Sequence, residues 1–292
     1  MAAIVKSLNL ILAAVIACGA PASAPPPDAT PVPAPVPAPT PSPSTEPVWR
    51  DEFDGAAGAS FDRTKWTADS GGHGFGNQER QFYTTRAENV ALDGDGHLVI
   101  TARAETSSAY DCWYGRCGYT STRLKTKGLF SQTFGRFEAR IRVPRGQGMW
   151  PAFWMLGTDI DSIGWPKSGE IDIMEHIGRE PTIAYGTLHG PGYSGAAGIS
   201  KGETLPSGAY ADDFHVFAVA WQANEIRWYV DGRLYHRVSP SDLPSGSKWV
   251  FDHPFFLLLN LAVGGAWPGD PNGTTTFPQQ LVVDYVRAYR DP

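Results

Sequence analysis

The stretch SGEIDIMEHIG, Ser168 to Gly178, sets three acids, Glu170, Asp172 and Glu175, among Ile171, Ile173, Met174 and Ile177. Side chains of a strand alternate between its two faces, so Glu170 and Asp172 share one face while Glu175, three residues on, falls on the other, with the isoleucines. A carboxylate aimed into a core is costly. One extra residue removes the conflict: a β-bulge at Ile173-Met174 resets the alternation and returns Glu175 to the face of Glu170 and Asp172. A helix is disfavoured by the β-branched content and would not put Glu170 and Glu175 on one face. Two plainer readings compete. The acids can simply be the wet face of a surface strand, or they can join His176 in a metal site. His176 directly follows Glu175 and so points the other way, and no second His lies at ligand spacing.

Outward from this stretch the chain reads as strands. HLVITAR (97–103) alternates, and GRFEARIRVP (135–144) puts Phe137, Ala139, Ile141 and Val143 on one face. EIRWYVDGRLYHRV (225–238) is a hairpin turning at Asp231-Gly232. FFLLLNLAV (255–263) is apolar throughout, and LVVDYVRAY (281–289) alternates again. Short runs broken by Gly, Pro and Asp, with no internal repeat and no long helical period, predict one all-β domain from Val48 to the end. Apolar or aromatic residues on both faces of several strands favour two stacked sheets.

The 292 residues are 42% hydrophobic with 10 Trp, enough for a sizeable core, and the formal charge of −6 speaks against nucleic acid as a partner. Residues 1–24 read as an export signal: Lys6, then the apolar run Leu8 to Ala17, too short to span a membrane as a stable helix. Two cleavage readings stay open, after Ala22-Ser23-Ala24 or at the lipobox-like Val15-Ile16-Ala17-Cys18, which would lipidate Cys18 and tether the protein to a membrane. Of three Cys, Cys112 and Cys117 in DCWYGRC can close a small disulfide loop in an oxidising compartment, leaving Cys18 unpaired. Residues 25–47 are a Pro-rich spacer. Export is expected, to the medium or as a cell-surface lipoprotein. A monomer is expected.

Geometry suggests chemistry for the acids. Alternate residues on a strand face are about 6.6 Å apart, which puts the backbones of Glu170 and Glu175 about 13 Å apart across the bulge. Side chains leaning together on a concave sheet can approach the separation of about 5–5.5 Å at which retaining glycosidases hold a nucleophile and an acid/base. Asp172 between them would raise a neighbour's pKa and keep one Glu protonated. Sugar rings stack on exposed aromatics. Trp150, Trp154 and Trp165 precede the acids, Trp165 within the loop DSIGWPKSGE, and Trp267 sits in GGAWPGDPNG.

GEIDIMEHIG resembles the signature of glycoside hydrolase family 16 in its bulged E-x-D-x-x-E form. WRDEFDG, GNQERQFYT, GLFSQTFGRFEARIRVPRGQGMWPAFWMLG, WYVDG, PFFLLLNLAVGGAWPG and VDYVRAY extend the resemblance over about residues 48–291, towards the bacterial laminarinases, the endo-1,3-β-glucanases of that family. The resemblance implies a curved jelly-roll sandwich with a glycan cleft on its concave face. It implies Glu170 as nucleophile, Glu175 as acid/base and Asp172 as their helper. Trp150, Trp154 and Trp165 would line the cleft, Asn77 and Arg86 would contact sugars on the non-reducing side, and His189 would sit near the catalytic floor. No cofactor is implied for catalysis. Many members carry a structural calcium, and the matching positions are Glu52, the Gly96 carbonyl and Asp284, with Glu52 and Asp284 as plain surface acids the alternative. Gln78, Arg80, the weakly aromatic TLHGPG and the DCWYGRCGYT loop depart from the pattern and leave substrate preference open. Three functions remain: a retaining endo-β-1,3-glucanase acting on laminarin-like polysaccharide, with mixed-linkage β-1,3-1,4 glucan as a second substrate left open, a galactan hydrolase or transglycosylase on the same fold, and a non-catalytic glucan-binding protein, against which both Glu stand.

Overall fold

Strands form where apolar residues alternate, and among the described residues of the computed structural model, 46–106 and 109–291, nineteen follow in chain order. They are β1 (Trp49–Asp51), β2 (Thr67–Ala68), β3 (Gln81–Tyr83), β4 (Val90–Leu92), β5 (Leu98–Ala104), β6 (Asp111–Cys112), β7 (Gly115–Arg116), β8 (Tyr119–Ser121), β9 (Arg123–Lys125) and β10 (Gly135–Arg142). Then come β11 (Met149–Gly157), β12 (Glu170–His176), β13 (Ile183–His189), β14 (Ile199–Thr204), β15 (His215–Gln222), β16 (Glu225–Val230), β17 (Arg233–Val238), β18 (Phe255–Val263) and β19 (Gln279–Tyr289). The only α-helix among the described residues is the single turn Ile160–Ile163. The expected export signal (1–24), Cys18 and nearly all of the spacer lie outside the described residues.

Two large sheets result. One has the order β17-β16-β15-β10-β19-β5-β8-β3, with β1 added on β19 and β4 on β5; the other runs β14-β13-β12-β11-β18-β9-β2. All pairings are antiparallel except β3 with β8, a parallel contact that the expectation of a wholly antiparallel sandwich did not include. Phe137, Ala139, Ile141 and Val143 of the β10 segment are buried, as the alternation predicted, and face a core shared with Phe153, Ile171, Leu257 and Leu259 of the other sheet. Every residue of β18 is buried, which explains its unbroken apolar run. The β16–β17 hairpin turns at Asp231-Gly232 with φ of 50° and 76°, the left-handed pair that a two-residue turn requires.

Beside the two sheets, β6 and β7 form a hairpin closed by the Cys112–Cys117 disulfide, Cα–Cα 5.0 Å.

Candidate active site

The acids lie on β12, next to the central strand β11 of the seven-stranded sheet. Against β11 the register runs Leu156↔Glu170, Met155↔Ile171 and Trp154↔Asp172, then jumps to Phe153↔Met174 and Ala152↔Glu175. Against β13, Glu170 faces His189, Asp172 faces Thr187 and Glu175 faces Tyr185. Ile173 and Met174 thus share one partner position, Gly186: this is the bulge that the acid spacing predicted, and it puts all three carboxyls on the face turned away from the core. Ile171, Ile173 and Met174 are buried on the other side. The opposite sheet supports the bulge. Trp228 Nε1 of β16 donates to the Asp172 carbonyl at 2.8 Å. Gly186 allows this approach, because a Cβ there would lie 2.4 Å from both Trp228 Cδ1 and Tyr235 Oη.

Each of the two glutamates has its own indole donor. Trp165 Nε1 donates to Glu170 at 2.8 Å, and Trp150 Nε1 donates to Glu175 at 3.0 Å, with the Thr187 hydroxyl at 3.4 Å. His189 Nε2 stands 3.2 Å from Asp172 Oδ2 and 3.9 Å from Glu170 Oε1. That contact is one of proximity, since Asp172 Oδ2 and His189 Nδ1 both lack a hydrogen-bond partner. Such unmet buried polar atoms mark groups kept for a ligand or a proton.

Burial dominates the electrostatics. It pushes Glu170 up to about 8, helped by the charge of Asp172 and opposed by His189 and the Trp165 hydrogen bond. It pushes Glu175 up to about 7, opposed by His189 and helped by the charge of Glu170. Asp172 is raised well above the usual carboxylate range by burial and by Glu175, against the pull of its hydrogen bond with Glu170. Three carboxyls this close share protons. Glu170 is held higher than Glu175, the reverse of the order that a nucleophile and an acid want. The hydrogen-bonded Asp172 can take the proton and leave Glu170 ionised for attack. Ligand atoms of Glu170, Asp172 and His189 also lie within 4.8 Å of one another, close enough for a cation. His176, the earlier metal candidate, is buried with Nδ1 on the Ile183 carbonyl at 2.8 Å, facing away from the acids.

The model of glycosyl hydrolases family 16 matches residues 77–287. The chain belongs to this family. It is 47% identical over 257 residues to a beta-glucanase of Rhodothermus marinus, covering 84% of this chain and 85% of that protein. Among solved structures it is similar to the catalytic domain of an endo-1,3-β-glucanase (laminarinase) from Thermotoga petrophila, with TM-score 0.79, 46% identity, and coverage of 86% here and 99% there. It is also similar to the endo-β-1,3-glucanase of Pyrococcus furiosus, with TM-score 0.78, 47% identity, and coverage of 84% and 94%. The fold is therefore the curved jelly-roll sandwich of family 16.

Most of the expected cleft residues of this family 16 chain converge. Trp154 stands opposite Asp172 and donates to Asn260 Oδ1 at 2.7 Å. Trp267 packs edge-on against Trp150 at 5.6 Å and Tyr185 at 5.3 Å, making an aromatic wall beside Glu175. The Asn77 carbonyl accepts from Ala266 at 2.8 Å, which joins its loop to the Trp267 loop. Arg86 is partly engaged elsewhere: its Nε and one Nη donate to Asn89, with Glu105 at 2.5 Å and Thr120 also on that Nη, and these bonds brace the edge of the other sheet.

At the expected calcium positions both acids carry arginines. Both Glu52 oxygens accept from Arg287, at 2.8 and 2.7 Å, and Arg140 donates to Asp284 at 2.5 Å. The Arg287 hydrogen bonds hold the Glu52 carboxyl below its usual range. Carboxylates each carrying a guanidinium do not fit a calcium ion, whose ligands must give their oxygens to the metal.

Sequence reasoning missed several cleft residues. Asn260 was legible as the one polar residue in FFLLLNLAV. Arg123 was not; its guanidinium lies between the rings of Trp154 (4.7 Å) and Phe75 (5.0 Å), in a place set by the pairing of β9 with β18. Tyr185 and Thr187 sit in an ordinary-looking strand and gain meaning only opposite Glu175 and Asp172.

Proposed function

We propose that this protein is an exported, retaining endo-β-1,3-glucanase acting on laminarin-like chains, with Glu170 as nucleophile and Glu175 as acid/base. The observation that carries the reading is the bulged strand that gathers Glu170, Asp172 and Glu175 on one face between indole donors. Glu170, oriented by Trp165, attacks the anomeric carbon while Glu175 protonates the departing glycosidic oxygen. A glycosyl ester forms on Glu170. Glu175, now ionised, takes a proton from water as the water attacks the same carbon, and the configuration is retained. Asp172, with His189 beside it, holds the proton that Glu170 gives up before attack. Trp154, Trp150 and Trp267 offer apolar faces to the sugar rings.

The test is reducing-end release by the purified protein on laminarin, mixed-linkage β-glucan, cellulose, xylan, agarose and carrageenan. Strong release from laminarin, weaker from mixed-linkage glucan and none from the others is expected. Activity confined to a galactan would keep the acids' roles and move the substrate. Binding of laminarin without cleavage of any substrate would overturn the enzymatic reading.

A further inference from the structure

The disulfide-closed β6–β7 hairpin takes no part in the chemistry above, yet it carries Trp113. Of the ten tryptophans, only Trp113 and Trp165 are about half exposed, at 47% and 48%, and Trp165 hydrogen-bonds the nucleophile. Trp113 is held firmly. Its Nε1 donates to the Glu79 carbonyl and its backbone N–H to the Gly72 carbonyl, each at 2.8 Å. Arg80 lies 5.1 Å from its ring, and a Cβ at Gly74 would come within 2.9 Å of its Cδ1 and Nε1. The pyrrole edge is thus anchored, while the residue as a whole stays about half exposed.

The segment it leans on, residues 72–80, is a wall of the cleft. Phe75 from that segment meets Arg123 beside Trp154, and Asn77 holds the Trp267 loop through Ala266. Arg80 ties the same segment to Asp270 of that loop with two hydrogen bonds of 2.8 Å. Trp113 therefore packs on the same segment that contributes Phe75 and Asn77 to the surroundings of Trp154 and Trp267.

We propose that Trp113 is a distal platform for the glucan, stacking on a sugar of a chain that has left the cleft over this wall. The inference rests on the glucanase reading. An anchored, half-exposed indole offers a rigid apolar face at little entropic cost, which suits the apolar face of a pyranose. A β-1,3-linked chain bends at each linkage and can turn over a shoulder, whereas a flat β-1,4 ribbon runs straight on.

The experiment compares wild type, Trp113→Ala and Trp113→Phe on laminarin and on laminaritriose, with laminarin affinity electrophoresis of each in a Glu170→Gln background. Trp113→Ala is expected to raise the laminarin KM about five-fold, in keeping with the usual strength of an aromatic stacking contact. Its kcat should stay within about two-fold. Retardation by laminarin should fall in parallel, kinetics on the short trisaccharide should hold, and Trp113→Phe should restore most of the loss. A Cys112→Ser/Cys117→Ser double variant, which frees the hairpin, should behave like Trp113→Ala. Unchanged laminarin KM and retardation in Trp113→Ala would overturn the platform, as would an equal loss on laminaritriose, which would mean that Trp113 acts by shaping the cleft wall. A wild type that neither binds nor cleaves laminarin would overturn the glucanase reading, and the platform with it, before any variant is compared.

Discussion

At the scale of single residues, the site is a contest between burial and donors. Burial wins at Glu170 and Glu175, leaving them at about 8 and about 7 in the open cleft. Both are raised, so protons stay on until near-neutral pH. As the pH falls through about 7 the pair gains its second proton and the nucleophile is progressively lost; as it rises through about 8 the pair loses its last proton and with it the acid. The productive form, with one proton on the pair, peaks between these limits. A bell-shaped profile of kcat/KM is expected there, checked by laminarin hydrolysis from pH 4 to 10; an optimum near pH 5 would contradict it. Glu170→Gln should lower turnover on the order of 10⁴-fold or more, since a covalent nucleophile has no substitute, while laminarin still retards the variant in a gel. Turnover like that of wild type would sink the assignment.

At the scale of the element, β12 works because its irregularity is built in from outside. The bulge costs ladder hydrogen bonds, and Trp228 of the opposite sheet offsets part of that by donating to the Asp172 carbonyl. Gly186 leaves the space for it. Gly186→Ala would place a methyl against Trp228 and Tyr235, and overpacking of this kind costs about 1–3 kcal/mol. The expected result is a lower urea midpoint together with a fall in kcat larger than the lost stability explains, measured well below the melting temperature. Stability like that of wild type would mean that the indole is not fixed under the bulge.

At the scale of the whole molecule, the first and last strands of the described residues are joined by strand pairing and by charge. β1 lies along β19 with Trp49 opposite Ala288 and Asp51 opposite Val286, and Glu52 grips Arg287 across the same seam. The guanidinium thus occupies both oxygens of Glu52, one of the acids expected to hold a calcium ion. EDTA should therefore leave the melting temperature unchanged within about 1 °C. Arg287→Ala should lower stability by about 1 kcal/mol, as expected of a half-exposed bidentate pair. A clear drop in melting temperature on chelation, reversed by added Ca²⁺, would show that metal displaces the arginine.

Much of this was readable in the chain itself. Alternation decided the strands, because a sheet with one buried face imposes a period of two. The break in that period between Asp172 and Glu175 foretold the bulge, because a core rejects an unpaired carboxylate. Asp-Gly at 231–232 decided a hairpin through its backbone preferences alone. Tertiary structure decided what depends on neighbours distant in sequence. Arg86 gained Glu105 and Thr120 as partners that its own stretch of sequence does not announce, and Arg123 looked like an ordinary strand residue until Phe75 and Trp154 closed around it. The indole of Trp228 beneath the bulge, the parallel pairing of β3 with β8, and the arginines on Glu52 and Asp284 belong to the same class. Local sequence fixes which face a side chain takes; only the stacking of sheets fixes what it meets there.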